Sequence, residues 1–261
     1  MTFELSFILV GIMQIFGFFV QGTTGFGCTV IAASVTNGLL GTATGVPYGT
    51  LITLPFLYYL GIKSFREVSW KDLLKIIVLC APGLFIGNYL FYIINESTAK
   101  ISIGAMVTLI ALINIYKHII KPLVLKIEET EEEPDTTAKK LLRYGCLALG
   151  GVVHGAFNIG GPLITVYTIS AVKEKEKFRN TMNMVWVVLN TYNAFNQFRN
   201  GAWTPRLFGA LGVGVPMAAV GFFVGMAFLK KIRREQFLRI VYCVLLFIGL
   251  DMFIRNLLAV L

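Results

Sequence analysis

Apolar residues run along this chain in ten stretches separated by short polar connections: 3–20, 26–40, 46–60, 74–94, 101–116, 141–157, 160–172, 182–198, 207–229 and 237–257. A helix needs roughly 20 residues to cross a bilayer. Most of these stretches approach that length, but the second, third and seventh fall short. The pattern predicts half-helices or re-entrant hairpins at those three places. Irregular backbone at membrane depth survives only where protein buries it or where it lines a cavity. The predicted fold class is therefore an all-α polytopic membrane protein with some short or re-entrant segments.

Composition supports lipid as the solvent. Of the 261 residues, 56% are hydrophobic and 14% charged, with a mean hydropathy of +0.73. Soluble domains carry about 25% charged residues, so this chain has too little charge to cover a water-facing surface. No Lys or Arg precedes the first apolar run. That run reads as the first membrane helix rather than as a signal peptide, whose apolar core follows a basic segment.

The net charge of +9 acquires meaning from its placement. When successive connections are assigned to alternating sides, nineteen of the 23 Lys and Arg residues fall on one side. The other side receives only Lys100, Arg199, Arg206 and Arg255. Basic loops stay in the cytoplasm, which puts both termini outside the cell or inner membrane. Basic residues spread over inter-helix loops also exclude nucleic acid as the expected partner. The expected partners are a small anionic substrate and the lipid bilayer, with a homodimer left open.

An internal repeat emerges at an offset of 133 residues. It superposes Val20 on Val153, Gly22 on Gly155, Gly27 on Gly160 and Ile31 on Ile164. The same offset superposes Tyr59 on Tyr192, Phe65 on Phe198, Arg66 on Arg199 and Trp70 on Trp203. The chain then divides into a first transmembrane repeat over 1–116, a charged cytoplasmic linker over 117–140 containing EETEEEPDTTAKK, and a second repeat over 141–261. Five segments per half is an odd number, so the two repeats have inverted topology.

Each half carries a glycine motif where a long apolar stretch meets a short one: VQGTTGFGCTV over 20–30 and VHGAFNIGGPL over 153–163. Glycine at this density breaks a helix and permits close approach. Pro162 suits the first turn of a new helix. Short helices are expected to begin at Phe26 and Gly160, with their free N–H groups turned toward the break. Helix N-termini attract anions through those groups and the helix dipole. The other reading is helix packing through small residues, common in membranes. The candidate substrate-binding residues from these motifs are Gly22, Thr23, Thr24, Gly25, Phe26, Gly27, Gly155, Asn158, Gly160 and Gly161.

On these paired motifs, Gly22 with Gly25-Phe26-Gly27 and Gly155 with Gly160-Gly161-Pro162, the chain resembles the sulfite exporter TauE/SafE family, also called the TSUP transporters. The resemblance covers nearly the whole chain. It implies export of sulfite, sulfoacetate or another small sulfur-containing or organic anion. One departure stands out: Cys28-Thr29 follow Gly27 where further glycines are common in the family.

The eighth stretch places Asn183, Trp186, Asn190, Asn193 and Gln197 on one helical face. Lipid penalises a row of carboxamides, so the stripe faces protein or water. Asn183, Asn190 and Asn193 join the candidate binding residues, with interhelical hydrogen bonding as the alternative. The first-half equivalent is poorer, with only Thr50 and Thr53. Arg66 and Arg199, at equivalent positions on opposite faces, are candidates for the two entrances or for headgroup anchors. His154 is a candidate for proton coupling or for a plain hydrogen bond. Asp251, four residues before Arg255, is a candidate proton relay or an intrahelical ion pair. Trp70 and Trp203 read as interfacial anchors.

The four cysteines form no CxxC and read as small apolar filler, with no disulfide framework or zinc site expected. No HExxH and no GxxxxGK[ST] is present, and only two histidines exist. An enzyme, an ATP-driven pump and a metal-ion transporter are disfavoured on those grounds. No cofactor or metal is expected. The function that remains is a secondary carrier of a small anion. The alternatives are an anion channel or a permease for a small carboxylate.

Overall fold

A computed structural model of the protein describes residues 5–90, 96–120, 136–158 and 160–259. Among the described residues the chain is almost wholly helical. The first half contains α1 (Leu5–Thr24), α2 (Cys28–Leu40), α3 (Thr42–Lys63), α4 (Trp70–Leu90) and α5 (Glu96–Ile115). The second contains α6 (Thr137–Phe157), α7 (Gly161–Ala171), α8 (Lys175–Arg199), α9 (Pro205–Lys231) and α10 (Arg234–Leu258). One 3-10 turn, Phe65–Glu67, follows α3, and a π turn, Tyr116–Ile120, follows α5. Most of the charged linker lies outside the described residues, and α6 begins at Thr137, inside the stretch assigned to it.

Every apolar stretch becomes a helix, and the chain is an all-α polytopic membrane protein. α1, α9 and the stretch Glu235–Leu258 of α10 are long and apolar enough to cross a bilayer on length and composition alone. The others carry more polar residues or, like α2 and α7, are short. The third stretch corrects an expectation. It is not a half-helix: α3 has 22 residues, because Thr42–Gly45 and Gly61–Lys63 extend the apolar run at both ends. Outward faces are lined by large apolar side chains, among them Phe85 and Tyr89 on α4, Phe223 and Val224 on α9, and Phe247 on α10. Such a belt is stable only against lipid or another protein.

Helix pairing follows a simple plan. α1 packs on α9, α4 on α6, α5 along α10 and α3 along α8. Replacing each first-half helix by its second-half counterpart returns the same set of pairs. The crossings are made of glycine. A Cβ on Gly22 would collide with Phe222 O, on Gly221 with Ile15 O and on Gly225 with Phe19 O, all between α1 and α9. Between α4 and α6, a Cβ on Gly87 would strike Val152 O, on Gly151 Cys80 O and on Gly155 Leu84 O. Backbones brought this close gain dispersion contacts that larger residues would prevent.

Candidate functional site

The α1–α2 break is built by two glycines in the left-handed region, Gly25 at φ 84° and Gly27 at φ 99°. Side chains with a Cβ rarely adopt that conformation. α2 therefore starts at Cys28, two residues later than Phe26. The α6–α7 break is made by Asn158, whose φ is 58°. Asparagine tolerates this conformation as a helix C-cap, and its N–H donates to His154 O at 2.9 Å. α7 starts at Gly161 with Pro162 in its first turn. Neither short helix has a side chain capping its first N–H groups.

The two breaks meet inside the protein. A Cβ on Gly161 would stand 3.6 Å from the Phe26 ring and 3.5 Å from the Trp186 ring. Trp186 Nε1 donates to Gly25 O at 2.8 Å, tying α8 to the first break. Gln21 Nε2 donates to the same oxygen at 3.2 Å. Between them lies a small cavity lined by Gly27, Cys28, Thr29, Gly161, Gln21, Thr53, His154, Asn158, Trp186 and Asn190. The first residues of both short helices thus line one space. None of its lining residues is Lys, Arg, Asp or Glu.

The carboxamide stripe of α8 faces α3. Asn183 Nδ2 donates to Leu57 O at 2.8 Å, Asn190 Nδ2 to Thr53 Oγ1 at 3.0 Å and Gln197 Nε2 to Thr50 Oγ1 at 3.0 Å. The partners run in opposite order, so α3 and α8 are antiparallel. Asn193 Nδ2 donates to Asn158 Oδ1 at 3.0 Å, and Asn158 Nδ2 to Thr50 Oγ1 at 3.2 Å. His154 Nε2 meets Asn190 Oδ1 at 3.1 Å, and its ring stacks on Trp186 with centroids 5.1 Å apart. All of these amides are buried or partly buried, and each such bond is worth on the order of 1 kcal/mol.

A second cavity shares Cys28, Thr29 and Asn158 with the first. It extends along Gln14, Thr36, Asn37, Gly45 and Gly49 toward the turn at Gly41. Toward the Lys175 end of α8, the buried side chains of Phe26, Leu57, Met182 and Val185 fill the space instead. Because α3 and α8 are antiparallel, the Gly41 turn and the Lys175 end belong to opposite ends of the bundle. The polar lining continues toward one end of the bundle and gives way to apolar packing at the other.

The structure brings part of the candidate set together. Gly27, Gly161, Asn158, Asn190 and His154 line the central cavity, while Gly25 accepts a hydrogen bond from Trp186 and Phe26 packs beside Gly161. Asn193 adjoins through Asn158, whereas Asn183 binds the α3 backbone outside the cavity lining. Gly22 and Gly155 serve the helix crossings, and Gly160 packs on Gly150 O. Thr23 Oγ1 donates to Phe19 O and Gly225 O, and Thr24 Oγ1 to Phe26 O. Arg66 and Arg199 are exposed and line neither cavity, and Arg199 lies over the Phe195 ring. Asp251 forms the intrahelical ion pair with Arg255 on α10, away from both cavities.

Trp186, Gln21, Thr53, Cys28 and Thr29 also line the cavity and were outside the candidate set. Each carried a signal: Trp186 lies on the carboxamide face, Thr53 belongs to its first-half equivalent, Gln21 is the 133-residue counterpart of His154, and Cys28-Thr29 follow the first glycine motif. Among the described residues no group of His, Cys, Asp and Glu suits a metal ion.

The model of a protein family described as "Sulfite exporter TauE/SafE" matches residues 8–252. No curated protein and no solved structure matches the chain.

Proposed function

This chain belongs to the sulfite exporter TauE/SafE family, and from that premise we propose that it is a secondary carrier of a small sulfur-containing anion such as sulfite or sulfoacetate. One observation carries the reading: the N-terminal turns of α2 and α7, one from each half, line a single buried cavity free of Lys, Arg, Asp and Glu. Such turns offer backbone N–H groups and partial positive charge to an anion. The carboxamides of Asn158 and Asn190 add neutral donors, which suit an oxyanion that must also be released.

The two halves act as inverted repeats, and the pairing of α1 with α9 and α4 with α6 supports that arrangement. The polar lining toward Gly41 and the apolar packing at the Lys175 end favour a carrier over a channel. In alternating access the packed layer of Phe26, Leu57, Met182 and Val185 opens as the Gly41 path closes. The Lys- and Arg-rich loops face the cytoplasm of an inner or plasma membrane, and both termini face out. The negative interior favours anion efflux.

The test is thermal stabilisation of the purified protein by sulfite, sulfate, thiosulfate, sulfoacetate, taurine and acetate. A ligand at 100 times its Kd stabilises by about 2.7 kcal/mol. Sulfite or sulfoacetate is expected to raise Tm, and silence across every anion would reject the assignment.

A further inference from the structure

The hydrogen bonds around the cavity fix which atom of His154 carries its proton. Thr53 Oγ1 donates to the backbone carbonyl of Thr50 at 2.7 Å. A hydroxyl has one hydrogen, so toward Asn190 the same oxygen can only accept. The Asn190 contact at 3.0 Å must therefore be made by the NH₂ group. Asn190 then turns its carbonyl oxygen to His154 Nε2 at 3.1 Å, and that nitrogen must hold a hydrogen to donate. A backbone carbonyl, which cannot reverse, sets the polarity of the whole chain. In neutral His154 the lone pair is consequently on Nδ1. That atom is buried and has no partner among the described residues, on a residue only 2% exposed.

An unmatched acceptor on a residue that lines an anion cavity is an unusual pairing. It repels a fully deprotonated oxyanion, and leaving it unmatched costs about 1–3 kcal/mol. A ligand that brings one acidic O–H removes the conflict: its proton donates to Nδ1, while its charge lies against the N–H groups of α2 and α7. We infer that the cavity takes a singly charged oxyanion that still carries one proton, and that His154 Nδ1 is the acceptor for that proton. The inference rests on the anion-site reading above and narrows its substrate class. Hydrogen sulfite fits. Sulfate, too weakly basic to hold a proton near neutral pH, does not.

The surroundings leave His154 alone in this role. From α1 the cavity receives Gln21, from α2 Cys28 and Thr29, from α3 Thr53, from α7 Gly161, and from α8 Trp186 and Asn190. Cys28 is the one other titratable residue in that lining, and its thiol contacts Thr29 Oγ1 at 3.7 Å. α4 packs on α6 through Gly151 and Gly155 and brings Cys80, whose thiol donates to Leu147 O. One proton accompanies each anion, and whether it sits on oxygen or on Nδ1 leaves the stoichiometry the same.

Titration calorimetry of the wild-type protein tests this. Sulfite is added at a pH where it is mostly the dianion, in two buffers of different ionisation enthalpy. Uptake of about one proton per anion is expected. Methanesulfonate, a monoanion without an O–H, is expected to bind at least about tenfold more weakly than hydrogen sulfite, matching the unmatched-acceptor cost. In His154→Phe, which keeps a ring against Trp186, proton uptake is expected to vanish. If that variant does not fold, the two-buffer comparison decides alone. Sulfite binding without proton uptake, or methanesulfonate binding as tightly as hydrogen sulfite, overturns this inference and leaves the anion site standing. Failure of every anion to bind overturns both.

Discussion

Asn158 is the residue on which most of the site converges. It ends α6 in the left-handed region, bonds to Thr50 and Asn193, and lines both cavities. Leucine there loses both carboxamide bonds and meets a backbone conformation costing about 1–2 kcal/mol. Asn158→Leu and Asn190→Leu are each expected to abolish anion binding while the protein still inserts in the membrane, read by ligand-induced thermal shift on protein extracted from the membrane fraction. Wild-type binding by both variants would remove these residues from the site. Trp186→Phe is a milder probe. It keeps the stack on His154 but deletes the bond to Gly25 O, so a loss of about 1 kcal/mol in stability is expected. Chemical denaturation in detergent measures it, and an unchanged midpoint would show that the break is held by other contacts.

Between helices, the same glycine has two uses that the chain does not distinguish by itself. Gly151 meets the backbone of α4 at Cys80, whereas a Cβ on Gly38 would meet nothing within 4 Å. Gly151→Val is expected to cost at least about 1–3 kcal/mol through overpacking, and Gly38→Ala to be neutral or to stabilise by about 0.5–1 kcal/mol. Melting temperatures of the two variants check the contrast, and equal Tm values would refute the packing assigned to the α4–α6 crossing. This contrast also shows where sequence reasoning stopped. The ten α-helices among the described residues were legible because each apolar stretch is bounded by charge or glycine. Both breaks were legible because glycine crowds where a long stretch meets a short one. That Gly22 and Gly155 pack while Gly27 and Gly161 open into the cavity depends on which helix lies opposite. Offsets within one chain carry no such information. The length of α3 was missed for a related reason. Thr42–Gly45 is too polar to read as membrane-spanning, yet Gly45 is buried in the helix, where its Cβ would collide with Asn37.

As a whole, the molecule is a bundle whose polar lining extends toward the Gly41 turn and gives way to apolar packing at the opposite end. Cysteine labelling reads this asymmetry. In a Cys243→Ser background, which removes the exposed native thiol, Asn37→Cys is expected to react with a membrane-impermeant thiol reagent from the extracytoplasmic face. Met182→Cys, fully buried in the packed layer, is expected to stay protected from that face. Reversed labelling would invert the proposed orientation or the open side. Arg66 and Arg199 show how far whole-chain symmetry can be pushed. The 133-residue offset pairs them in sequence, but their side chains are exposed outside both cavities, so equivalence of position did not bring them to the site. What the two halves share at the cavity is narrower: two helix N-termini without side-chain caps line one space. A crystal structure of the protein soaked in sulfite, with data collected at a wavelength where sulfur scatters anomalously, locates the anion itself. The account predicts a sulfur peak, distinct from Cys28, within hydrogen-bonding reach of the first N–H groups of α2 and beside Gly161 and Asn158. A sulfite peak anywhere else, with that cavity holding only water, would contradict it.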